Sequence, residues 1–128
     1  MINQPGISIA NIGQIAINVH DTSRAVEFYR DVLELKLLFT AGDLAFLDCG
    51  GVRLMLSKPE RPEFDHPSSI LYFRVTDIQS AFARLVERKA KTESEPHVVA
   101  RMPDHDLWLA EFRDSEGTVM ALMSEVPR

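Results

Sequence analysis

The chain has 128 residues, which suits one domain, and its 45% hydrophobic content excludes a disordered polypeptide. A formal charge of −5 without any basic stripe argues against nucleic acid as a partner. The single cysteine, Cys49, excludes an internal disulfide framework, and no segment is long and apolar enough to span a bilayer. Because no basic and apolar leader is visible, we expect one domain over residues 1–128, located in the cytoplasm and without a membrane partner.

The first half of the chain predicts a strand, a helix and three more strands. Residues 12–19 alternate between apolar and polar side chains, as a half-buried strand does. Asp21 is placed to cap the following helix, whose apolar residues recur every three or four positions as far as about Leu35. Further strands are expected at 37–40, 44–48 and 52–56, with turns at Gly42-Asp43 and Gly50-Gly51.

The second half repeats this order after a loop at 57–69 that contains three prolines. A strand is predicted at 70–75, a helix at 77–89, and a polar stretch from Lys89 to Glu95. The last strands are predicted at 97–101, 107–113 and 118–124. Two modules, 10–57 and 69–125, therefore share the order βαβββ, and helices on one face of curved sheets indicate an α+β domain.

A short phrase marks the start of each module. In both copies an alternating apolar run ends in Val-x-Asp, and a helix pattern with alanine four residues after the aspartate begins. The equivalent residues are 56 positions apart: Val19, Asp21 and Ala25 recur as Val75, Asp77 and Ala81. A unit that occurs twice in a short chain indicates two similar modules around one core, with a site where they meet.

Two further motifs accompany this repeat. Residues 25–33 read Ala-Val-Glu-Phe-Tyr-Arg-Asp-Val-Leu and are followed by Glu34, and the turn at 114–117 reads Asp-Ser-Glu-Gly. Together these motifs resemble the glyoxalase, bleomycin-resistance and extradiol-dioxygenase superfamily, also called vicinal oxygen chelate proteins. That family usually has glycine where Glu34 stands and proline at the second position of the turn. The resemblance implies curved mixed sheets around a shared cup, in a fold that hosts many chemistries.

In metal-dependent members of that family, four side chains, usually His, Gln or Glu, hold a divalent ion in the cup. The resemblance carries three of these positions to Gln14, Ile70 and Ala121, and the fourth to Leu54 or a residue next to it. Ile, Ala and Leu offer no lone pair, and neither neighbour of Leu54 suits a hard metal. We therefore expect no metal and no cofactor, which argues against metal-assisted lyase, epimerase or dioxygenase chemistry.

Strand alternation predicts which side chains line the cup. If Gln14 faces inward, Asn18 does too, and Ile70, Tyr72 and Arg74 share a face on the partner strand. Arg74 is suited to bind a carboxylate or phosphate with two parallel hydrogen bonds, and Tyr72 and Asn18 to orient the ligand. The alternative is that Arg74 pairs with a nearby acid and Tyr72 only packs. The predicted ligand-binding set is completed by Leu54, His105, Trp108 and Ala121.

The remaining candidate residues for binding or catalysis allow more than one interpretation. Trp108, the only tryptophan, is suited to stack on a planar ligand, or else fills the core or a dimer seam. Glu111 would act as a base if buried, whereas an exposed edge position is the plainer interpretation. The four histidines lack metal-ligand spacing, and His20 is interpreted as solvated or capping. Cys49 is interpreted as a small buried residue, and catalytic residues remain unassigned.

These observations favour a metal-independent small-molecule binding protein that sequesters its ligand in an apolar cup, as bleomycin-resistance members do. The resemblance also implies a homodimer, either compact or with modules exchanged between chains. One alternative is a lyase, isomerase or dioxygenase with a divalent metal at displaced ligands. Two others are a metal-free enzyme that uses Arg74, Tyr72, Glu111 or His105, and a regulatory partner whose cup binds a protein segment.

Overall fold

A computed structural model describes residues 6–128 as two mixed β-sheets with two α-helices. The predicted α+β class and the duplicated strand and helix order are confirmed. The first half contains β1 (Gln14–Asn18), α1 (Thr22–Glu27), a π-helical turn (Phe28–Val32), β2 (Lys36–Ala41), β3 (Leu44–Cys49) and β4 (Val52–Ser57). After a 3₁₀ turn (Pro62–Phe64), the second half contains β5 (Tyr72–Arg74), α2 (Ile78–Glu87), β6 (Lys91–Thr92), β7 (His97–Arg101), β8 (His105–Arg113) and β9 (Val119–Pro127).

Each sheet is built around one parallel pair of strands. The first sheet has the order β1-β4-β3-β2, and the second has the order β5-β9-β8-β6, with β7 also paired to β8. β1 runs parallel to β4 and β5 parallel to β9, whereas the other pairs are antiparallel. The strand β6 lies in the polar stretch before β7, where no strand was predicted. Both short strands line the same edge of β8, because β6 pairs with its C-terminal end and β7 with its N-terminal half.

The repeated Val-x-Asp phrase builds the same structure twice. Asp21 Oδ1 accepts a hydrogen bond from the Arg24 amide at 3.0 Å, and Asp77 Oδ1 accepts one from the Ser80 amide at 3.2 Å. In each case the aspartate satisfies an amide that the first helical turn leaves without a partner. The predicted cap at Asp21 is therefore confirmed, and Asp77 caps the second helix in the same way, which explains why this part of the repeat is shared.

The first helix ends earlier than its apolar spacing predicts. After Glu27 the chain forms a π-helical turn, in which the Leu33 amide bonds the Phe28 carbonyl oxygen at 3.1 Å. Glu34 then adopts a φ of 65°, in the left-handed region that favours glycine, and this conformation stops the helix. No helix among residues 6–128 has the length and apolar character needed to cross a membrane.

One hydrophobic core joins the two modules. The Phe28 ring, from the π-helical turn, stacks on Phe112 of β8 with 6.3 Å between ring centroids. The buried Tyr29 hydroxyl donates a hydrogen bond of 2.6 Å to Asp114. Burial raises the pKa of Tyr29 far above its usual range, so this hydroxyl remains a donor. Since the helices and the covered faces of both sheets contribute to this core, the uncovered sheet faces are turned away from it.

Candidate ligand-binding site

Each sheet has one face packed under the helices and one uncovered face, because successive strand residues point to opposite sides. In the β1–β4 pair, Ile15 and Ile17 lie beside Leu54 and Leu56 on the covered side. The first face, our term for the uncovered side of the first sheet, carries Gln14, Ala16, Asn18, Lys36, Phe39, Phe46, Asp48, Arg53 and Met55. The second face, on the second sheet, carries Tyr72, Arg74, His105, Glu111, Ala121, Met123 and Glu125.

The first face is organised around Arg53. Its Nε donates a hydrogen bond of 2.7 Å to Gln14 Oε1, from the neighbouring strand β1. The guanidinium carbon lies 5.3 Å from the centroid of the Phe46 ring, within the range of a cation–π contact. Phe46 in turn stacks on Phe39 at 4.4 Å, and Gln14 Nε2 lies 3.7 Å from Met55 Sδ. This face therefore combines the charge of Arg53, with Asp48 and Lys36 next to it in the register, with an apolar surface around Phe46 and Phe39.

The second face contains an arginine whose charge is already paired. Arg74 Nη2 lies 3.0 Å from Glu125 Oε1, and His105 Nε2 lies 3.8 Å from Glu125 Oε2. His105 Nδ1 also contacts Asp104 Oδ1 at 2.7 Å, and this hydrogen bond holds the pKa of the Asp104 carboxyl below its usual range. Of the two roles left open for Arg74, the structure shows pairing with a nearby acid. Tyr72 lies beside it with half of its surface exposed.

Two predicted lining residues lie on the covered sides instead. Leu54 is 1% exposed and belongs to the core, because the register pairs it with Ile15 rather than Gln14. Its neighbours Arg53 and Met55 occupy the uncovered side in its place. Trp108 pairs with Ser124 on the covered side of the second sheet and packs against the core, so the prediction that it lines the cup is corrected.

Asn18 holds the linker between the modules. Its side-chain amide donates to the carbonyl oxygens of Phe64 and His66 at 2.7 and 2.8 Å. Its backbone amide donates to Ser68 Oγ at 3.0 Å. Since both amide hydrogens of the side chain reach linker carbonyls, the structure assigns Asn18 to fastening the linker rather than to orienting a ligand.

A cavity of about 640 Å³ lies between this linker and the β8–β9 turn. At its rim, His20 Nε2 contacts Asp65 Oδ1 and Nδ1 contacts Glu116 Oε1, each at 2.9 Å. The hydrogen bonds to these carboxylates, that to Asp65 foremost, raise the pKa of His20 above its ordinary value. Sequence reasoning missed this bridge because the two partners lie 45 and 96 residues away. No local pattern connects such distant groups.

Comparison with known protein families shows which superfamily the chain belongs to. The family model of the Glyoxalase/Bleomycin resistance protein/Dioxygenase superfamily matches residues 11–122. The chain belongs to this superfamily. Its resemblance to the family, inferred from the motifs, is thereby confirmed. The uncharacterized protein YraH of Bacillus subtilis is 26% identical to it, over 85% of this chain and 94% of that protein.

Solved structures share the fold of this chain. An integron cassette protein from V. cholerae superposes with a TM-score of 0.77 at 18% identity, covering 92% of this chain and 97% of that one. A lactoylglutathione lyase from Agrobacterium tumefaciens superposes with a TM-score of 0.71 at 22% identity, covering 91% and 95%. At these identities the superpositions establish the fold and no common activity.

The four positions implied by the superfamily do not fit a divalent metal. The Gln14 Oε1 atom, the one hard donor among them, already accepts the hydrogen bond from Arg53. Near Gln14 a metal would meet the soft Met55 sulfur and a guanidinium cation, and Ile70 and Ala121 supply no donor atom. Within residues 6–128, no group of three or more His, Cys, Asp or Glu side chains is arranged to hold a metal ion.

Proposed function

We propose that this superfamily member binds a small molecule on its uncovered sheet faces without a divalent metal, in the manner of bleomycin-resistance-type sequestration. The observation that carries the proposal is the side chain of Gln14, the single suitable ligand among the four positions. Its oxygen is hydrogen-bonded to a cation, Arg53, at 2.7 Å. A metal ion there would lose that acceptor and stand beside a positive charge.

A second copy of the chain is proposed to complete the binding cup. The uncovered faces expose large apolar side chains, with Phe39 48% and Tyr72 51% accessible, and Ile70, just before β5, is 48% accessible. Exposed apolar side chains on a sheet face are typical of association sites. Sedimentation velocity checks this expectation: we expect a dimer for the wild-type chain and a shift towards monomer for Tyr72→Lys.

The half-buried thiol of Cys49, the single cysteine, supports placement in a reducing compartment such as the cytoplasm.

Elemental analysis tests the metal-independent part of the proposal. Protein purified without chelator is expected to contain well below one equivalent of Mn, Fe, Co, Ni or Zn. Its melting temperature should be the same with and without EDTA, because no folding energy depends on a metal. Gln14→Ala serves as the matched variant, and it should contain equally little metal and be equally insensitive to EDTA. A stoichiometric metal in the wild type that is lost in Gln14→Ala would overturn the proposal. It would favour metal-dependent lyase, isomerase or dioxygenase chemistry instead.

A thermal-shift screen over small metabolites and antibiotics tests the binding part. A ligand that binds only the folded chain raises its melting temperature by mass action. We expect at least one compound to stabilise the EDTA-treated protein. A library in which every stabilising compound requires an added metal would contradict metal-independent binding.

A further inference from the structure

Arg53 differs from most arginines of this chain in having no acidic partner. Eight arginines have a carboxylate oxygen within 4.0 Å. Among residues 6–128, Arg24 and Arg53 have none, and Arg53 alone of the two lies on an uncovered sheet face. Asp48 stands opposite Arg53 in the β3–β4 register, yet its Oδ1 accepts a hydrogen bond from the Gly51 amide at 3.2 Å. Among the described residues, Asp48 therefore lies next to Arg53 without forming a salt bridge to it within 4.0 Å.

The guanidinium of Arg53 is nevertheless held in place. Its Nε is occupied by Gln14, and its carbon lies over the Phe46 ring. Within the described residues, its two terminal nitrogens make no hydrogen bond to the protein. A planar group anchored at Nε and at its face presents these terminal donors in a fixed fork, which matches the two oxygens of a carboxylate.

The surroundings of this fork are apolar on the side of Phe46 and Met55, and Asp48 lies opposite Arg53. Phe46 and Met55 are paired across β3 and β4 next to Arg53, and Phe39 extends the aromatic surface with half of its own area exposed. Such a surface favours a ligand with an apolar body as well as an anionic group, because burying that body adds hydrophobic free energy to the ion pair.

We propose that Arg53 supplies, from the protein itself, the positive charge that binds the carboxylate of an organic acid with an apolar body on the first face. The proposal rests on the proposed function, since it names the ligand class for the same surface. Gln14 is then a positioning residue for the guanidinium, and Phe39, Phe46 and Met55 contact the apolar part of the ligand.

Methyl NMR of the intact chain tests this assignment with benzoate as the probe. Met55 reports on the first face and Met123 on the second, so each spectrum contains its own control. Benzoate is expected to shift the Met55 methyl signal saturably and to leave Met123 unchanged. Benzyl alcohol, which lacks the charge, and inorganic phosphate, which lacks the ring, should each produce a much smaller shift at equal concentration.

Variants of Arg53 and Arg74 identify which of the two arginines binds the carboxylate of benzoate. Arg53→Gln should weaken benzoate binding about tenfold, the loss expected for a hydrogen-bonded ion pair. Arg74→Gln should leave the affinity unchanged. Arg53→Lys keeps the charge but not the fork, and should lie between wild type and Arg53→Gln. Because both arginine side chains are exposed, the variants are expected to keep dispersed amide spectra, which are recorded as the folding control.

Specific results would overturn the inference. Wild-type affinity in Arg53→Gln, an equal response to benzyl alcohol, or a benzoate response confined to Met123 would each reject Arg53 as the carboxylate site. An equal response to inorganic phosphate would reject the organic-acid class. Each of these results leaves metal-independent binding standing, whereas a stoichiometric metal lost in Gln14→Ala rejects the proposed function instead.

Discussion

The first and second faces are built on the same strand plan and carry different chemistry. Each face is centred on a parallel strand pair, and each carries one arginine beside it, Arg53 or Arg74. Arg53 is held by a neutral amide and an aromatic ring, whereas Arg74 is paired with Glu125, which also lies near His105. The duplication therefore preserves the groups that build the backbone structure and leaves the uncovered side chains free to diverge.

The largest expected effect tests the division between covered and uncovered sides. Leu54→Ala should lower the free energy of unfolding by about 2–5 kcal/mol, because it opens a cavity in the shared core. Met55→Ala, one residue later on the uncovered side, should cost less than about 1 kcal/mol, since its side chain is only half-buried. Urea denaturation monitored by circular dichroism measures both values. Equal losses at the two positions would contradict the register on which the first face is defined.

The next effect tests whether the two modules share their backbone construction. Asp21→Ala and Asp77→Ala each remove a cap hydrogen bond of similar length and should each cost about 1 kcal/mol. The same denaturation assay compares them, and Asp43→Ala, in an exposed turn, is the matched control. A large loss of unfolding free energy at one cap with none at the other would show that the two copies of the motif do not contribute equally to stability.

These caps also show what could be predicted from the sequence. Val-x-Asp specifies a strand end and a helix start within a few residues, so local chemistry was enough to predict the cap at Asp21, and the repeat places Asp77 at the equivalent position. The order of strands and helices along the chain followed from the duplicated pattern, whereas the order of strands within each sheet was not predicted. The short strand β6 was missed because Lys91 and Thr92 look like loop residues, and only their pairing with Arg113 and Phe112 makes them a strand.

The candidate site was less accessible to sequence reasoning. Alternation correctly grouped Gln14 with Ala16 and Asn18, yet it could not fix the register of β4 against β1, and one residue decided between Leu54 and Arg53. The partner of Arg74 is 51 residues away, and the partner of Arg53 is 39 residues away. Contacts at such separations depend on the assembled sheets, so sequence alone could not tell which arginine was free.

Releasing Arg74 from its partner should make the second face more like the first. Glu125→Gln keeps the shape of the side chain and removes its charge, which leaves the Arg74 guanidinium without a carboxylate. Exposed ion pairs contribute about 0.2–1 kcal/mol, so we expect benzoate to shift Met123 in this variant with an affinity gain of about threefold. Methyl NMR in an Arg53→Gln background isolates the response. An unchanged Met123 signal would show that pairing with Glu125 does not account for the difference between the faces.

The smallest effect concerns the bridge that fixes the modules relative to one another. His20 contacts Asp65 of the linker and Glu116 of the last turn through its two ring nitrogens, and both contacts require a proton on the nitrogen. Since these carboxylates raise the folded-state pKa above the ordinary 6.5, the bridge contributes its full stability below about pH 6.5. That contribution is lost as the pH rises through the folded-state pKa.

His20→Gln therefore separates this pH-dependent contribution from the rest of the fold. The melting temperature of the wild type should exceed that of the variant most at mildly acidic pH, and the difference should shrink as the pH rises above the folded-state pKa. The effect is small because the His20 side chain is 65% exposed and solvent screens its ion pairs. His66→Gln is the matched control, since its ring contacts a backbone carbonyl oxygen at 3.1 Å rather than a carboxylate. A melting-temperature difference that stays constant across the pH range would mean that His20 does not bridge the two modules through its charge.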